Sequence, residues 1–314
     1  MKNFLKTLFA GFTMGVANVI PGVSGGTLAL ITGVFDPIVD AMRLLTSKET
    51  WTLLFTFRLK QLFATLPWMF LAALGAGVAL AFATTARLMV WLLNTHQTPT
   101  YAFFLGLIVA SLAPVARRAG RWNTSRILSL IAGIVIGFYV VNLVPTETPD
   151  AWWMLMLAGA VSFCAMILPG ISGSFILLVL GKYETLWGAV ANLASGKLVA
   201  SEIAALAWIA LGGALGLALF AHVFMFLLKR FNGVTLAALT GLMAGSLWKL
   251  WPWQMVVRET LRADGKRLVL ETRNIWPWQG AAPATAREYA LVAAAFVVGA
   301  LCVWLVERFA GSKK

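Results

Sequence analysis

Charge is the property that this sequence has least of, since only 12% of its 314 residues are charged whereas 60% are hydrophobic. A soluble domain needs many more charged side chains on its surface. Apolar stretches of about 18 or more residues recur along the chain, and such stretches are long enough to cross a bilayer as helices. The composition therefore excludes an ordinary soluble fold and predicts an all-α polytopic membrane protein.

Histidine and cysteine are also scarce, with two residues of each. Cys164 and Cys302 both lie in apolar segments, so they do not indicate a redox compartment. The sequence offers no group of side chains that would serve as a metal site or as a general base. We therefore expect neither a metal nor a cofactor.

The net charge of +13 could suggest nucleic-acid binding. However, the basic residues lie mostly in loops between apolar runs, where orientation in the membrane explains them. Many of the fourteen tryptophans cluster near segment ends, as interfacial aromatic residues do. These are Trp51, Trp68, Trp91, Trp122, Trp152, Trp153, Trp251 and Trp253. We therefore expect membrane lipids as partners, and no nucleic acid.

One motif occurs twice, as NVIPGVSGGTLALITGVFDPIVDA at 18–41 and as MILPGISGSFILLVLGKYETLWGAV at 166–190. At an offset of 148 residues the aligned pairs are Pro21 and Pro169, Gly22 and Gly170, Ser24 and Ser172, Gly25 and Gly173, Gly33 and Gly181, and Asp36 and Glu184. Each copy contains a Pro-Gly break, a Ser/Gly turn, an apolar run and a closing acid. We interpret these two breaks as the functional part of the protein.

The first copy interrupts an apolar segment that is too short to span a bilayer. Arms at 4–17 and 27–45 flank Pro21 and Gly22, and the first arm lacks the about 20 residues that a span requires. We expect a re-entrant hairpin that enters and leaves on one side. A basic loop at 43–60, which could contain an interfacial helix, follows it.

The second half repeats this plan, with a broken segment at 151–195 that is either re-entrant or two full spans at 151–168 and 174–195. Full spans are predicted at about 66–93, 100–117, 126–144, 203–228, 234–251 and 288–307. At an offset of 135, Thr100, Gly106, Leu107, Ser111 and Leu112 align with Thr235, Gly241, Leu242, Ser246 and Leu247. Small-residue pairs that favour close helix packing are Gly11/Gly15, Gly133/Gly137, Gly212/Gly216 and Gly241/Gly245.

Basic residues predict the orientation of the loops. The positive-inside rule places both termini and the loops at 43–60 and 117–126 in the cytoplasm, and the connection at 145–150 outside. Each half has a broken element and three full spans, so the halves must be inverted relative to each other, as in many transporters. The predicted repeats are residues 1–148 and 149–314.

The loop at 252–287 is an exception, because it carries basic residues and yet is predicted to lie outside. Its centre is typical of two short strands around an Asp264-Gly265 turn. Trp-Pro-Trp-Gln flanks it on both sides. We expect a small β-hairpin on the outer surface.

The repeated breaks predict an anion site. A helix that starts after each break leaves backbone N–H groups unpaired and carries partial positive charge. Hydroxyl groups cap some of these donors, and glycines leave others open to phosphate. The alternative is that Pro-Gly only kinks a membrane helix. The predicted phosphate-binding residues are Pro21, Gly22, Ser24, Gly25, Gly26, Thr27, Pro169, Gly170, Ser172, Gly173 and Ser174.

Charged residues near the motifs are candidates for ion coupling. Asp36 and Glu184 could carry protons or cations, or they could pair with Arg43 and Lys182. A further basic residue, Arg87, could neutralise substrate phosphate or extend to an interface. His222 is more typical of a hydrogen-bonded packing residue.

The doubled PG[VI]SG motif, together with the sequence around it, resembles the polyprenyl-phosphate transporter family over nearly the whole chain. The resemblance implies transport of undecaprenyl phosphate from the outer to the inner leaflet of the bacterial cytoplasmic membrane, which recycles the lipid carrier. The implied partner is polyprenyl phosphate. The coupling ion expected from Asp36 and Glu184 is a proton or another cation.

Two alternatives remain. Undecaprenyl-pyrophosphate phosphatases also combine inverted repeats with a PG-x-S loop. In those proteins an arginine follows the serine of the loop, whereas this chain has Gly25 or Gly173 there, and no histidine accompanies either motif. Hydrolysis is therefore disfavoured, and we expect no enzyme activity. A transporter of a small soluble anion is compatible with the same fold. A channel or a purely structural membrane protein is less compatible with two anion sites.

Overall fold

A computed structural model of the chain describes residues 2–18, 25–45, 47–194, 196–197, 199–261, 267–279 and 284–311. These residues are mostly helical, as the composition predicts. The helices are α1 (Lys2–Asn18), α2 (Gly25–Thr32), α3 (Phe35–Leu45), α4 (Lys48–Phe55), α5 (Leu59–Thr65), α6 (Trp68–Thr95), α7 (Gln97–Arg118), α8 (Thr124–Val141), α9 (Trp152–Ile167), α10 (Gly173–Val179), α11 (Tyr183–Ala194), α12 (Ala200–Arg230), α13 (Asn232–Ser246) and α14 (Ala286–Gly311). A 3-10 helix, Leu247–Leu250, extends α13, and the strands are β1 (Gln254–Leu261) and β2 (Arg267–Asn274).

Within the described ranges, six helices are long and apolar enough to cross a membrane, and they coincide with the six predicted spans. They are α6, α7, α8, α12, α13 with its 3-10 extension, and α14. Helices α1 and α9 are apolar but have only 17 and 16 residues. The architecture is that of a polytopic membrane protein in which two shorter apolar helices lead into the repeated motifs.

A left-handed glycine ends the short helix that follows each break. The φ angles of Gly33 and Gly181 are 75° and 66°. The N–H of Gly33 donates to the Leu30 carbonyl, three positions back, at 3.3 Å. The N–H of Val34 donates to the Ala29 carbonyl, five positions back, at 3.0 Å. The same bonds recur at Gly181, at 3.0 and 2.8 Å, and the pair of bonds is the Schellman C-cap. The arm predicted at 27–45 consists of two helices, α2 and α3, and α10 and α11 repeat the arrangement.

Glycines permit the closest helix contacts, and they do so at repeated positions. A Cβ atom on Gly11 of α1 would collide with the carbonyl oxygen of Leu74 in α6. A Cβ atom on Gly159 of α9 would collide in the same way with Ile209 of α12. Gly159 lies 148 residues after Gly11, and Ile209 lies 135 residues after Leu74, which are the two offsets of the sequence repeat. The α1–α6 and α9–α12 pairs thus have the same packing.

A second type of helix pair is repeated as well. Gly106 of α7 packs against the backbone of Phe296 in α14, and Gly241 of α13 packs against the backbone of Leu130 in α8. The four helix pairs with the most extensive contacts are α1–α6, α9–α12, α7–α14 and α8–α13. Exchanging the two halves of the chain maps this set of pairs onto itself.

The two central helices are α7 and α13, which are the most buried of the candidate spans. Ile108 of α7 and Met243 of α13 are fully buried, and they are counterparts at the offset of 135. Beside them, Phe35 of α3 packs edge to face on Phe224 of α12, with ring centroids 5.7 Å apart. In lipid, such packing stabilises a bundle through van der Waals contact more than through exclusion of water.

The predicted hairpin is present, because β1 and β2 pair antiparallel from Gln254–Asn274 to Leu261–Arg267. The predicted Asp264-Gly265 turn lies outside the described residues. Arg258 of β1 donates from Nη2 to the carbonyl oxygen of Pro145 at 3.0 Å. The hairpin and the 145–150 connection therefore lie at the same end of the bundle, as predicted.

Candidate functional site

The two copies of the repeated motif meet inside the bundle. The backbone N–H of Gly170 donates to Oγ1 of Thr27 at 3.1 Å, and both residues are buried. Thr27 lies in the first turn of α2, and Gly170 lies in the break between α9 and α10. This bond therefore joins the start of the first-half arm to the break of the second half.

Gly170 has to be a glycine at this position. Its φ angle is 88°, a value that residues with a side chain rarely adopt. In addition, an added Cβ would lie 2.9 Å from both the Leu242 carbonyl oxygen and Oγ of Ser246. Leu242 and Ser246 belong to α13. The hydroxyl of Ser246 is buried and donates to the Met243 carbonyl at 2.8 Å. The second break is thus seated directly on one of the central helices.

Hydroxyl groups line the start of α10. Oγ of Ser172 and Oγ of Ser174 are 2.8 Å apart and share a hydrogen bond. Ser172 is the N-cap residue, but its side chain makes no capping bond to α10. Nearby, Gly173 packs on the backbone of Ser162, whose side-chain Oγ is buried without a hydrogen-bond partner among the described residues. This polar cluster retains hydrogen-bonding capacity in a region that is otherwise apolar.

The predicted phosphate-binding residues divide into three groups. Gly25, Gly26 and Thr27 are buried in the first turn of α2, and Pro169, Gly170, Ser172 and Gly173 are buried around the second break. Ser174 is partly buried. Pro21, Gly22 and Ser24 lie outside the described residues.

Two ion pairs hold the turns that follow α2 and α10. Asp36 at the start of α3 accepts a hydrogen bond from Nη2 of Arg118, with Oδ2 at 2.6 Å, and both side chains are largely exposed. Lys182 is 1% exposed, and its Nζ donates to Asp150 Oδ1 and to the Thr148 carbonyl, each at 2.6 Å. Arg118 ends α7 before the start of α8, whereas Asp150 and Thr148 lie in the connection after the end of α8. The partners of these two residues thus lie near opposite ends of α8.

The other charge candidates lie on α3, α6, α11 and α12. Glu184 is partly buried in the first turn of α11, and Arg43 is exposed in the last turn of α3. His222 is exposed on α12, and its Nδ1 bonds the carbonyl of Ala218 in the same helix at 2.7 Å. Arg87 belongs to α6, and its side chain lies outside the described residues.

Sequence reasoning missed two polar residues beside the second break. Ser162 aligns with Met14 at the offset of 148, so the repeat gives no signal for it. Lys249 lies in the 3-10 helix, and its Nζ is 5.3 Å from the ring centroid of Phe175, the residue after Ser174.

In the described part of the chain, no group of three or more His, Cys, Asp or Glu side chains could hold a metal ion.

Comparisons with known proteins agree with this architecture. A family model described as "VCA0040-like: Undecaprenyl phosphate translocase-like" matches residues 14–268. A polyprenyl-phosphate transporter of Vibrio cholerae serotype O1 is 37% identical over 279 residues, which cover 88% of this chain and 87% of that protein. A polyprenyl-phosphate transporter of Staphylococcus aureus is 30% identical over 264 residues, covering 80% of this chain and 86% of that protein. No solved structure matches the chain. The chain therefore belongs to the undecaprenyl phosphate translocase-like family.

Proposed function

We propose that this protein transports polyprenyl phosphate, in particular undecaprenyl phosphate, across the bacterial cytoplasmic membrane. Movement runs from the outer to the inner leaflet and recycles the lipid carrier for envelope polymers. The observation that carries the proposal is the match to relatives named polyprenyl-phosphate transporters over most of the chain. The protein acts as a transporter and not as an enzyme.

The proposal includes two inverted repeats, residues 1–148 and 149–314. Two observations support the inversion. The helix pairs exchange when the halves are exchanged, with glycines at matching offsets. In addition, the turn after α2 contacts Arg118 at one end of the bundle, whereas the turn after α10 contacts Asp150 at the other. Two arms that begin in contact and lead to opposite ends are what alternating access to one site requires.

The phosphate headgroup binds where the start of α2 meets the second break. Transfer of an unshielded phosphate into hydrocarbon would cost many kcal/mol, because ions lose their hydration in a low-dielectric medium. Hydroxyl groups of Ser172, Ser174 and Ser162, with backbone N–H groups of the breaks, replace part of that hydration. Ser24 contributes the equivalent hydroxyl in the first half. The isoprenoid tail stays in the lipid while the headgroup crosses.

Both termini face the cytoplasm, and the hairpin faces outside. Gly233 in the first turn of α13 packs against Arg126 in the first turn of α8. The arginine-rich loop at 117–126 and the basic connection at Lys229 and Arg230 therefore share one end of the bundle, which supports this orientation. The hairpin and the acidic 145–150 connection share the other end.

Transport in proteoliposomes tests the proposal. Wild-type protein should move a fluorescent polyprenyl phosphate between leaflets, whereas protein-free vesicles should not. Excess inorganic phosphate should compete only weakly with the lipid. A transporter of small soluble anions would instead bind inorganic phosphate as tightly as the lipid. Release of phosphate from the pyrophosphate lipid would indicate the phosphatase alternative, and absence of lipid movement would refute the proposal.

A further inference from the structure

We propose that Lys249 is a phosphate-binding residue that receives the lipid headgroup on the hairpin side of the membrane. This inference rests on the proposed transport of polyprenyl phosphate, and it assigns the initial contact to one side chain.

Lys249 occupies an unusual position for a cation. It lies in the last turn of a candidate span, in the 3-10 helix that extends α13, and it is partly buried. Its Nζ lies 5.3 Å from the ring centroid of Phe175. Charged residues inside membrane spans are costly, and they usually face a polar partner or a functional path.

The partners that surround Lys249 leave its charge incompletely neutralised. Among the described residues, no carboxylate lies within 4.0 Å of its ammonium group. Glu271 of β2 interacts with it electrostatically from a greater distance. A cation–π contact satisfies no hydrogen-bond donor of the ammonium group, which has three. An anionic oxygen would supply a hydrogen-bond acceptor for this ammonium group.

Two contacts connect the surroundings of Lys249 with α10 and with the second break. Phe175 directly follows Ser174, whose hydroxyl bonds that of Ser172. Gly170 packs against Ser246, one turn before Lys249 on the same helix. Lys249 thus contacts α10, the helix that carries Ser174, and lies one turn after the residue on which the second break packs.

The two halves differ at this position. At the offset of 135, the counterpart of Lys249 is Pro114, and at the offset of 148 the counterpart of Phe175 is Thr27. Of these paired positions, only the one on the hairpin side therefore carries a cation. A phosphate lipid would therefore bind more tightly on the side with the lysine than on the side without it.

Binding measurements on protein in lipid nanodiscs test the inference. The probes are a polyprenyl phosphate and the matching uncharged polyprenol. Wild-type protein should bind the phosphate more tightly than the polyprenol. Lys249→Gln should weaken binding of the phosphate by about tenfold or more, because a charge-assisted contact is lost, and should leave binding of the polyprenol unchanged. Lys249→Arg should retain binding.

The matched control is Lys229→Gln, since Lys229 is exposed at the end of α12. It should bind both lipids as the wild type does. If Lys249→Gln is not monodisperse, Lys249→Met replaces it, because it keeps the aliphatic stem. Equal weakening for both lipids, or unchanged binding of the phosphate, would overturn the role of Lys249. A wild-type protein without preference for the phosphate would instead refute the proposed function.

Discussion

Thr27 and Gly170 form a buried hydrogen bond of 3.1 Å between the two halves of the chain, although 143 positions separate them. Thr27→Val keeps the shape of the side chain but leaves the Gly170 N–H without its acceptor. We expect the free energy of unfolding to fall by about 1–3 kcal/mol, the usual cost of an unsatisfied buried donor. Thermal unfolding in detergent measures it.

Thr240→Val is the control for this variant. Thr240 is also buried, but its hydroxyl donates to the Leu236 carbonyl within its own helix. The control should therefore be much less destabilising. Equal losses for the two variants would contradict a specific bond between Thr27 and the second break.

Helix α6 offers a matched pair of glycines. A Cβ on Gly77 would collide with the backbone of Leu8 and Phe12 in α1, whereas a Cβ on Gly75 would meet nothing within 4 Å. Gly77→Ala should destabilise the protein by about 1–3 kcal/mol, because α1 has to move away. Gly75→Ala should be neutral or should stabilise by up to about 1 kcal/mol through helix propensity. Thermal unfolding distinguishes them, and similar midpoints would refute the close contact.

The two ion pairs should differ in strength. Lys182 is buried and Asp150 bonds it directly, so Asp150→Asn should lower the free energy of unfolding by about 1–3 kcal/mol. Asp36 and Arg118 are both solvent-exposed, and Asp36→Asn should cost at most about 1 kcal/mol. The measurement is chemical or thermal unfolding of the two variants. A larger loss for Asp36→Asn would show that burial does not determine the strength of these pairs.

Glu184 follows the second arm and remains a prediction for ion coupling. If Glu184 carries the coupling proton or cation, Glu184→Gln should flatten the dependence of the transport rate on pH or on the ion gradient. Glu49→Gln is the control, because Glu49 is exposed on α4. Transport in proteoliposomes under imposed gradients measures this. An unchanged dependence in Glu184→Gln removes this residue from coupling, and Asp36→Asn then tests the remaining acid.

The sequence was sufficient for the spans and for the repeat. Long apolar runs give the span positions directly, and the Pro-Gly-x-Ser-Gly copies give the offset of 148. The helix ends at Gly33 and Gly181 were missed, although these glycines align, because a glycine within an apolar run does not reveal a left-handed φ. Only the backbone conformation distinguishes a helix cap from a packing glycine.

The partners of the charged residues could not be predicted in the same way. Asp36 bonds Arg118, 82 residues away, and Lys182 bonds Asp150, 32 residues away. These pairings depend on which loops share an end of the bundle. Ser162 has no polar counterpart in the first half, so only its position beside Gly173 identifies it.

The most direct test of the phosphate site is binding of polyprenyl phosphate to the Ser172→Ala/Ser174→Ala double variant. Ser201→Ala, an exposed serine on α12, is the control. We expect the double variant to bind the phosphate lipid about tenfold or more weakly while binding polyprenol normally, because hydroxyl groups that replace the water of the phosphate are lost. Binding of the phosphate lipid with wild-type affinity would contradict a headgroup site where the start of α2 meets the second break.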